Sequence, residues 1–275
     1  MPLIIHSKST KEFAKQIAKE YNNTKLIDIN TIKKPKPQND EIVVGIGGGK
    51  VIDYAKVIAG ENRAIAIPTT AAGAAATSHA VYWDPISKRK IDIPTKLPKL
   101  RIEPEFLNNL PIEIMKSTTY DALAHALDSY WSKKATKESK NLSKKAHSIL
   151  IKQIENDHND MVKMIQAGNI AGKAIEITGT NMTHALSYPL TALYDIPHGI
   201  ALGWVIPPCA SYQQCDLRIP LLDVELSRIK KDKAFIERVA TEAMTYKKIH
   251  DANKDITKQQ LIELLGRIIC QKKYM

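Results

Sequence analysis

Apolar residues follow strand-like spacing in the first part of the chain. Residues 42–46 (IVVGI) form a short, β-branched run that predicts a buried parallel strand, and residues 51–58 behind it have helical spacing. Residues 3–21 predict a strand followed by an amphipathic helix, and residues 24–30 predict a second strand. Strands alternating with helices are typical of an α/β layer with a parallel sheet.

The remainder of the chain has mainly helical periodicity, as in KAFIERVATEAM (residues 233–244). We therefore predict two domains with a boundary near residue 104: an α/β domain over residues 1–104 and an all-helical domain over residues 105–275. Because 44% of the 275 residues are apolar, the chain can bury a substantial core.

A glycine turn joins the predicted strand at 42–46 to the helix that follows it. Gly47, Gly48 and Gly49 leave backbone N–H groups free to face a phosphate at the positive end of the helix, with Lys50 beside them. The sequence is neither the GxGxxG fingerprint nor a P-loop. A tight turn without a ligand explains the glycines equally well, so phosphate binding is a hypothesis at this point.

Four residues form a candidate metal site. Asp121 and His125 stand at i and i+4 and therefore project from one face of a helix. His184 and His198 lie fourteen residues apart in THALSYPLTALYDIPHG. Three imidazoles and one carboxylate suit Fe²⁺ or Zn²⁺ better than Ca²⁺ or Mg²⁺, and they do not distinguish iron from zinc. Taken singly, a surface Asp–His pair and a helix-end histidine are the more ordinary interpretations.

The chain must double back if His184 and His198 are to share one ion. A straight helix would separate them by roughly 20 Å at about 1.5 Å per residue. Pro189 and Pro197 stand where such a break is needed, since proline lacks an N–H and displaces its predecessor from the helical region. We expect a break at both positions.

Taken together, these motifs resemble the iron-containing (group III, metal-dependent) alcohol dehydrogenase family. Residues 47–56 (GGGKVIDYAK) match the family's pyrophosphate loop, and residues 67–84 are similar to its TTAGTGSE-type nicotinamide loop. Residues 103–132 resemble the segment that supplies the first two metal ligands, and residues 183–199 the segment that supplies the last two. The resemblance implies a Rossmann-like nucleotide-binding domain and an all-α metal-binding domain, the architecture shared with dehydroquinate synthases.

The resemblance also implies functional residues and ligands. The metal ligands for Fe²⁺ or Zn²⁺ would be Asp121, His125, His184 and His198. The catalytic residues would be Tyr188 and Lys56. The residues implied to bind NADP(H) or NAD(H) are Gly47, Gly48, Gly49, Lys50, Asp53, Thr69, Thr70, Ser7 and Lys8. Many members have an acidic residue near the end of the first strand, where HSKST stands here. Ser7 and Lys8 would accept a 2′-phosphate, which favours NADPH.

The segment AGKAIEITGTNMTHALSYPLT, together with YWD near residue 83 and the lysine-rich stretch after it, is most similar to the phosphonoacetaldehyde reductase branch. The implied function is a metal-dependent, NAD(P)H-linked interconversion of a small aldehyde and its primary alcohol, with an anionic aldehyde as one substrate class. Two alternatives stay open. The short nucleotide domain and the loop AAGAAAT, which lacks the family's Ser–Glu pair, favour a trimmed, non-catalytic paralogue. The second alternative is a glycerol(-phosphate) dehydrogenase or a dehydroquinate synthase-like enzyme, which would have the same fold. The presence of His125 argues against it.

Charge and cysteine usage limit the partners. The net charge is +11, yet the lysines are dispersed and lack interleaved aromatics, so we expect no nucleic acid and instead electrostatic attraction of an anionic substrate and cofactor. Heat adaptation is a competing explanation of the lysine content. Three cysteines without a CxxC motif favour a reduced, cytoplasmic setting, and no apolar run predicts a membrane span. We expect a homo-oligomer, specifically a dimer.

Overall fold

The computed structural model describes residues 1–38, 42–84, 90–107, 110–157, 160–220, 222, 224, 226 and 232–271. Its strands are β1 Leu3–His6, β2 Lys25–Asp28, β3 Val43–Gly47, β4 Ile65–Pro68, β5 His79–Trp83, β6 Lys90–Pro94 and β7 Lys99–Leu100. Its α-helices are α1 Lys11–Ala18, α2 Gly49–Ala59, α3 Ile112–Tyr130, α4 Lys137–Glu155, α5 Met161–Thr178, α6 Met182–Tyr194, α7 His198–Gln213, α8 Lys233–Ala243 and α9 Lys258–Gln271.

Five of these strands form a parallel sheet in the order β2-β1-β3-β4-β7. Side chains alternate between its faces as strand geometry requires. Leu3 and Ile5 pack against α2 on one face, whereas Ile4 packs with Ile17 of α1 on the other. Because both faces are covered, β3 is buried along its whole length, which explains its continuous apolar sequence. Strands β5 and β6 form a separate antiparallel pair.

The long helices after residue 112 enclose the second large core, which gathers apolar residues of α3 to α9. Helix α5 joins this core to the sheet by a close backbone approach. A Cβ at Gly168 would lie 1.7 Å from the carbonyl oxygen of Ala71, which follows β4. Only glycine permits that contact, so the helical half is held directly against the carboxyl edge of the sheet.

The strand predicted at 42–46 and the helix predicted at 51–58 are present as β3 and α2, and residues 3–21 contain β1 and α1. The lysine-rich stretch after YWD lies outside the described residues as far as position 89. The domain boundary near residue 104 stays a prediction. No helix within the described ranges is long and apolar enough to cross a membrane.

The expected break at Pro189 is wrong. Pro189 lies inside α6, between the buried residues Tyr188 and Leu190, so tertiary packing maintains the helix although proline removes one hydrogen bond. The chain reverses instead at Asp195, whose φ of 52° and ψ of 28° are left-handed and end the helix. Pro197 then precedes the first residue of α7, as expected of a break there.

Candidate metal centre and nucleotide cleft

Three imidazoles converge on one carboxylate oxygen. Helix α3 presents Asp121 and His125 one turn apart, α6 contributes His184 from its first turn, and α7 begins at His198. The Nε2 atoms of His125 and His184 each lie 3.5 Å from Asp121 Oδ1, and that of His198 lies 3.9 Å away. The reversal at Asp195 therefore brings together residues from three helices.

The four predicted ligands are not equally close. Donor atoms of Asp121, His184 and His198 all lie within 4.8 Å of one another. His125 stacks on His184, with ring centroids 4.7 Å apart and planes 8° apart, and stands beside this compact group. The structure thus places all four side chains at one point and arranges three of them as a tight set.

Buried polar atoms at this point lack hydrogen-bond partners among the described residues. They are Asp121 Oδ1, His184 Nε2 and His125 Nδ1. An unsatisfied buried polar atom costs about 1–3 kcal/mol, and more when it is charged. A divalent cation would satisfy the carboxylate and an imidazole nitrogen together, and mixed nitrogen and oxygen donors suit iron or zinc. The residues present therefore fit such an ion.

Asp128 orients His184. Its Oδ2 lies 2.8 Å from His184 Nδ1 and accepts a hydrogen bond of 2.8 Å from the backbone N–H of Asn181. A carboxylate on Nδ1 places the ring proton there and turns the lone pair of Nε2 towards Asp121. Asp128 was not predicted from the sequence. Its position seven residues after Asp121, on the same face of α3, is the signal that could have identified it.

Asp121, His125 and His198, but not His184, are in the protonation state that binds a cation at pH 7. Burial lowers the pKa of His125 to about 4 and that of His198 to about 3, so both are neutral at pH 7. Burial alone would also depress the pKa of His184, but the carboxylates of Asp121 and Asp128 raise it to about 9. Despite burial, the neighbouring imidazoles hold the pKa of Asp121 well below its usual range. Neutral imidazoles and an ionised carboxylate are the forms that bind metal, so His184 has to release a proton when an ion binds.

Tyr188 is fully buried beside the histidines, and its ring stacks on His198 with centroids 5.8 Å apart. Two ammonium groups donate to its phenol oxygen: Lys90 Nζ at 3.1 Å and Lys248 Nζ at 3.3 Å. Although burial would raise the pKa of this phenol, Lys90, Lys248 and His184 lower it to about 8. Neither lysine was singled out by the sequence analysis.

A cavity of about 750 Å³ connects this cluster with the glycine turn. Gly49, Lys50 and Tyr54 line one end, and the opposite end is lined by Asp121, His125, His184, Tyr188 and His198. Its size falls within the usual range for small-molecule and cofactor sites. One cavity therefore contacts both of the motifs that the sequence analysis identified.

The glycine turn has the geometry of an anion site. Gly47 ends β3 with a φ of 154°, and a Cβ there would lie 2.9 Å from Val51 Cγ2. Helix α2 starts at Gly49, so the first N–H groups of that helix have no intrahelical acceptor. A phosphate in the cavity next to Gly49 and Lys50 would face these groups and the positive end of the helix.

Ser7, Lys8, Thr69 and Thr70 lie on neighbouring loops at the same edge of the sheet. His6 ends β1 beside Ile46, and Pro68 ends β4 beside Gly47, so all three loops leave the carboxyl ends of adjacent parallel strands. That edge is where open α/β sheets bind nucleotides. Lys8 is exposed, whereas Thr69 and Thr70 are buried.

Lys56 and Asp53 do not reach the cavity. Lys56 is completely buried and forms a 2.8 Å ion pair with Asp53. Its ammonium donates to the carbonyl oxygens of Ala74 at 3.0 Å, of Thr77 at 3.3 Å and of His79. Asp53 also accepts from the N–H of Val81 at 3.0 Å. These contacts brace the loop after β4 and do not leave Lys56 free to touch a substrate, so its placement does not support the predicted catalytic role.

Comparison with known proteins identifies the family. Residues 115–266 match the sequence model for the C-terminal part of the Fe-containing alcohol dehydrogenase family, and residues 3–100 match that for iron-containing alcohol dehydrogenase. The chain belongs to the Fe-containing alcohol dehydrogenase family. The resemblance inferred from the sequence motifs is thereby confirmed.

Curated relatives of this family member are aldehyde and alcohol oxidoreductases. The 1-propanol dehydrogenase PduQ of Salmonella typhimurium is 31% identical over 179 residues, which cover 58% of this chain and 48% of that protein. The phosphonoacetaldehyde reductase of Streptomyces viridochromogenes is 26% identical over 298 aligned positions, covering 82% of this chain and 75% of the relative. The match to PduQ thus spans about half of that protein's length.

Solved structures of similar shape confirm the predicted fold class. An iron-containing alcohol dehydrogenase from Thermotoga maritima has a TM-score of 0.79 at 23% identity, covering 98% of this chain and 92% of that one. The sulfoacetaldehyde reductase from Bifidobacterium kashiwanohense, solved in complex with NAD⁺, has a TM-score of 0.80 at 19% identity, covering 97% and 90%. The chain therefore has the family's architecture, with a parallel sheet and a helical region.

Proposed function

We propose that this protein is a metal-dependent, NAD(P)H-linked oxidoreductase that interconverts a small aldehyde and its primary alcohol, with anionic aldehydes such as phosphonoacetaldehyde among its substrates. The observation that carries the proposal is the single cavity that joins the glycine turn to the Asp–His cluster. Such a cavity can hold a dinucleotide and a carbonyl compound next to each other. Family membership and the activities named for the relatives support it.

Asp121, His184 and His198, with His125 beside them, would hold Fe²⁺ or Zn²⁺. Gly47, Gly48, Gly49 and Lys50 would hold the pyrophosphate, with Thr69 and Thr70 on the adjacent loop. When bound, the ion supplies Lewis acidity for the carbonyl oxygen, and the reduced dinucleotide supplies the hydride.

The chain's own groups position the reactants and manage the proton. Reduction of the aldehyde consumes one hydride and one proton and yields the alcohol and NAD(P)⁺. Tyr188 is the proton donor that lies within the cavity beside the metal ligands. Lys90 and Lys248 stabilise its phenolate after the proton has left, because both ammonium groups contact the phenol oxygen. Asp128 keeps His184 in the tautomer that binds metal.

NADPH is the proposed cofactor form. Ser7 Oγ is hydrogen-bonded to Ser9 Oγ at 2.9 Å, and the exposed Lys8 stands at the same corner, next to the glycine turn. A cation and hydroxyl groups there favour a 2′-phosphate. Cytoplasmic location and a homodimer remain predictions.

The test is oxidation of NADPH and NADH by the full chain after chelation and after loading with Fe²⁺ or Zn²⁺, with propanal and phosphonoacetaldehyde as substrates. Turnover that depends on the metal is expected. Stoichiometric metal binding and nucleotide binding without turnover of any aldehyde would overturn the catalytic proposal and favour the non-catalytic paralogue.

Lys8→Ala tests the choice of cofactor. We expect a roughly tenfold higher KM for NADPH and little change for NADH, since one charge-assisted hydrogen bond is lost. Lys11→Ala is the matched control, because Lys11 is also exposed and begins the next helix. Equal effects of Lys8→Ala on both nucleotides would contradict NADPH recognition at this corner.

A further inference from the structure

Two lysines from distant parts of the chain meet on one oxygen inside the cavity. Lys90 begins β6, and Lys248 lies in a 3-10 helix over Lys247–Asp251. Both contact the phenol oxygen of Tyr188, and their ammonium nitrogens lie 5.1 Å and 5.5 Å from the centroid of its ring. Bringing two cations to one buried hydroxyl group is electrostatically unfavourable unless an anion offsets their repulsion.

Among the described residues, a carboxylate is in direct contact with only one of these two ammonium groups. Lys90 is paired with Asp92 at 2.8 Å, and its side chain is only 12% exposed. Lys248, in contrast, donates to Thr180 Oγ1 at 3.0 Å and to Tyr188, both hydroxyl groups. Among the described residues, no carboxylate lies within ion-pair distance of Lys248. The cavity wall therefore has an ammonium group that no described carboxylate contacts directly, although Asp92 acts on it electrostatically from a longer distance.

The position of this charge relates it to the reacting end of the cavity. Tyr188 separates the two lysines from the metal ligands: its ring stacks on His198, and the same ring lies beneath both ammonium groups. A short molecule could therefore place a carbonyl group at the Asp–His cluster and a second polar group at the lysines. An uncharged alkyl aldehyde would leave the charge of Lys248 unpaired.

We infer that Lys248 and Lys90 form an anion subsite that recognises a terminal phosphonate, sulfonate or carboxylate on a short-chain aldehyde substrate. The inference rests on the proposed function, because it assigns the two ends of the substrate to two ends of one cavity. Lys248 supplies the ammonium group that has no carboxylate in contact, and Lys90, buried beside it, contributes a second donor. Asp92, whose side chain is 50% exposed, also lines the cavity and pairs with Lys90, so that Lys90 is the more fully neutralised of the two lysines.

The first test compares kcat/KM for anionic and uncharged aldehydes in Lys248→Met. Phosphonoacetaldehyde, sulfoacetaldehyde and succinic semialdehyde represent the three anion types, and propanal is the uncharged reference. We expect the anionic-to-uncharged ratio to fall about ten- to hundredfold, since one charge-assisted contact is lost. Lys248→Arg should restore most of the ratio because it keeps the charge.

Lys247→Met is the matched control. Lys247 is the neighbouring residue in the same 3-10 helix and is exposed, and its substitution by Met changes the net charge by the same amount as Lys248→Met. A ratio that falls equally in Lys247→Met and Lys248→Met would mean that only the overall charge matters, and would overturn the subsite. So would a wild-type protein that turns over propanal as efficiently as the three anions.

A binding measurement separates failure of the subsite from failure of the proposed function. Ethylphosphonate, which cannot be reduced, is titrated calorimetrically into zinc-loaded wild type, Lys247→Met and Lys248→Met. Binding that is lost only in Lys248→Met supports the subsite even if no aldehyde is turned over, in which case only the proposed activity fails. Binding that is absent from wild type, or unchanged in Lys248→Met, overturns the subsite even if metal-dependent turnover is found.

Discussion

Two buried clusters, built from similar residue pairs, differ in how closely the protein pairs their carboxylate: the nearest nitrogen lies 2.8 Å from Asp53 Oδ1 but 3.5 Å from Asp121 Oδ1. On α2, Asp53 and Lys56 lie one turn apart; Asp53 Oδ1 accepts no hydrogen bond from the described residues but lies 2.8 Å from the ammonium of Lys56, which also contacts three backbone carbonyls. On α3, Asp121 and His125 also lie one turn apart, yet Asp121 Oδ1 and His125 Nδ1 have no hydrogen-bond partner among the described residues. Sequence spacing alone would treat the two pairs alike.

The difference assigns them different roles. A buried polar group that is fully hydrogen-bonded stabilises the fold and has no remaining capacity for a ligand. A buried group that is left unsatisfied costs free energy, and it persists where a ligand repays that cost. We therefore interpret the α2 pair as a brace for the loop after β4 and the α3 pair as part of a binding site.

The largest predicted effect concerns metal binding by the cluster around Asp121. His198→Ala should abolish stoichiometric metal binding and reduce metal-dependent turnover by about a thousandfold, because a Lewis acid supplies several kcal/mol and each 1.36 kcal/mol is tenfold in rate. Metal content and aldehyde reduction are measured on the same preparation. Unfolding of the metal-free protein should change little, since the His198 side chain is 30% exposed. A variant that keeps its metal and its turnover would exclude His198 as a ligand.

Substitution in the Asp53–Lys56 pair should have the opposite effect: it should lower stability and leave metal binding unchanged. Lys56→Met leaves Asp53 buried without its cation, so we expect the free energy of unfolding to fall by about 3–5 kcal/mol. Urea unfolding of metal-free protein measures it. The folded fraction should still bind metal with unchanged stoichiometry, because Lys56 lines no part of the cavity. If stability were unchanged and only turnover were lost, Lys56 would be a catalytic residue after all.

The features that depend on neighbouring residues in the sequence were predicted correctly. The apolar run before Gly47 fixed β3, and the four-residue step from Asp121 to His125 placed both side chains on one face of α3. Pro189 misled the sequence analysis because packing of α6 outweighs the local cost of proline. Lys248 could not be found from spacing, since it lies 60 residues from Tyr188 and meets it only in the folded chain.

Asp128 combines features of both clusters: its carboxylate is hydrogen-bonded within the protein, and it orients His184 of the metal site. Asp128→Asn keeps the shape but weakens the interaction that fixes His184, and the affinity for metal should fall about 10- to 100-fold. Competition with a chelator measures the change. Asp53→Asn is the matched control, since it alters a buried carboxylate outside the cavity and should lower stability while sparing metal affinity. Equal losses of metal affinity in both variants would mean that Asp128 acts only through stability.

The smallest predicted effect concerns a histidine outside both clusters. His147 Nε2 lies 2.7 Å from the carbonyl oxygen of Arg218, so this ring has a hydrogen-bond partner in the backbone. Burial lowers the pKa of His147 despite that hydrogen bond. As the pH falls below about 6.5, the unfolded chain takes up a proton at this position that the folded chain refuses, and stability decreases. Above that pH the imidazole is neutral in both states, so His147 does not make the stability depend on pH.

The expected result is a shallower loss of stability between pH 7 and pH 5 in His147→Gln than in wild type, measured by urea unfolding, with metal binding unchanged. Identical slopes would show that His147 titrates alike in both states. Loss of metal binding would mean that a hydrogen-bonded histidine that does not line the cavity still supports the site.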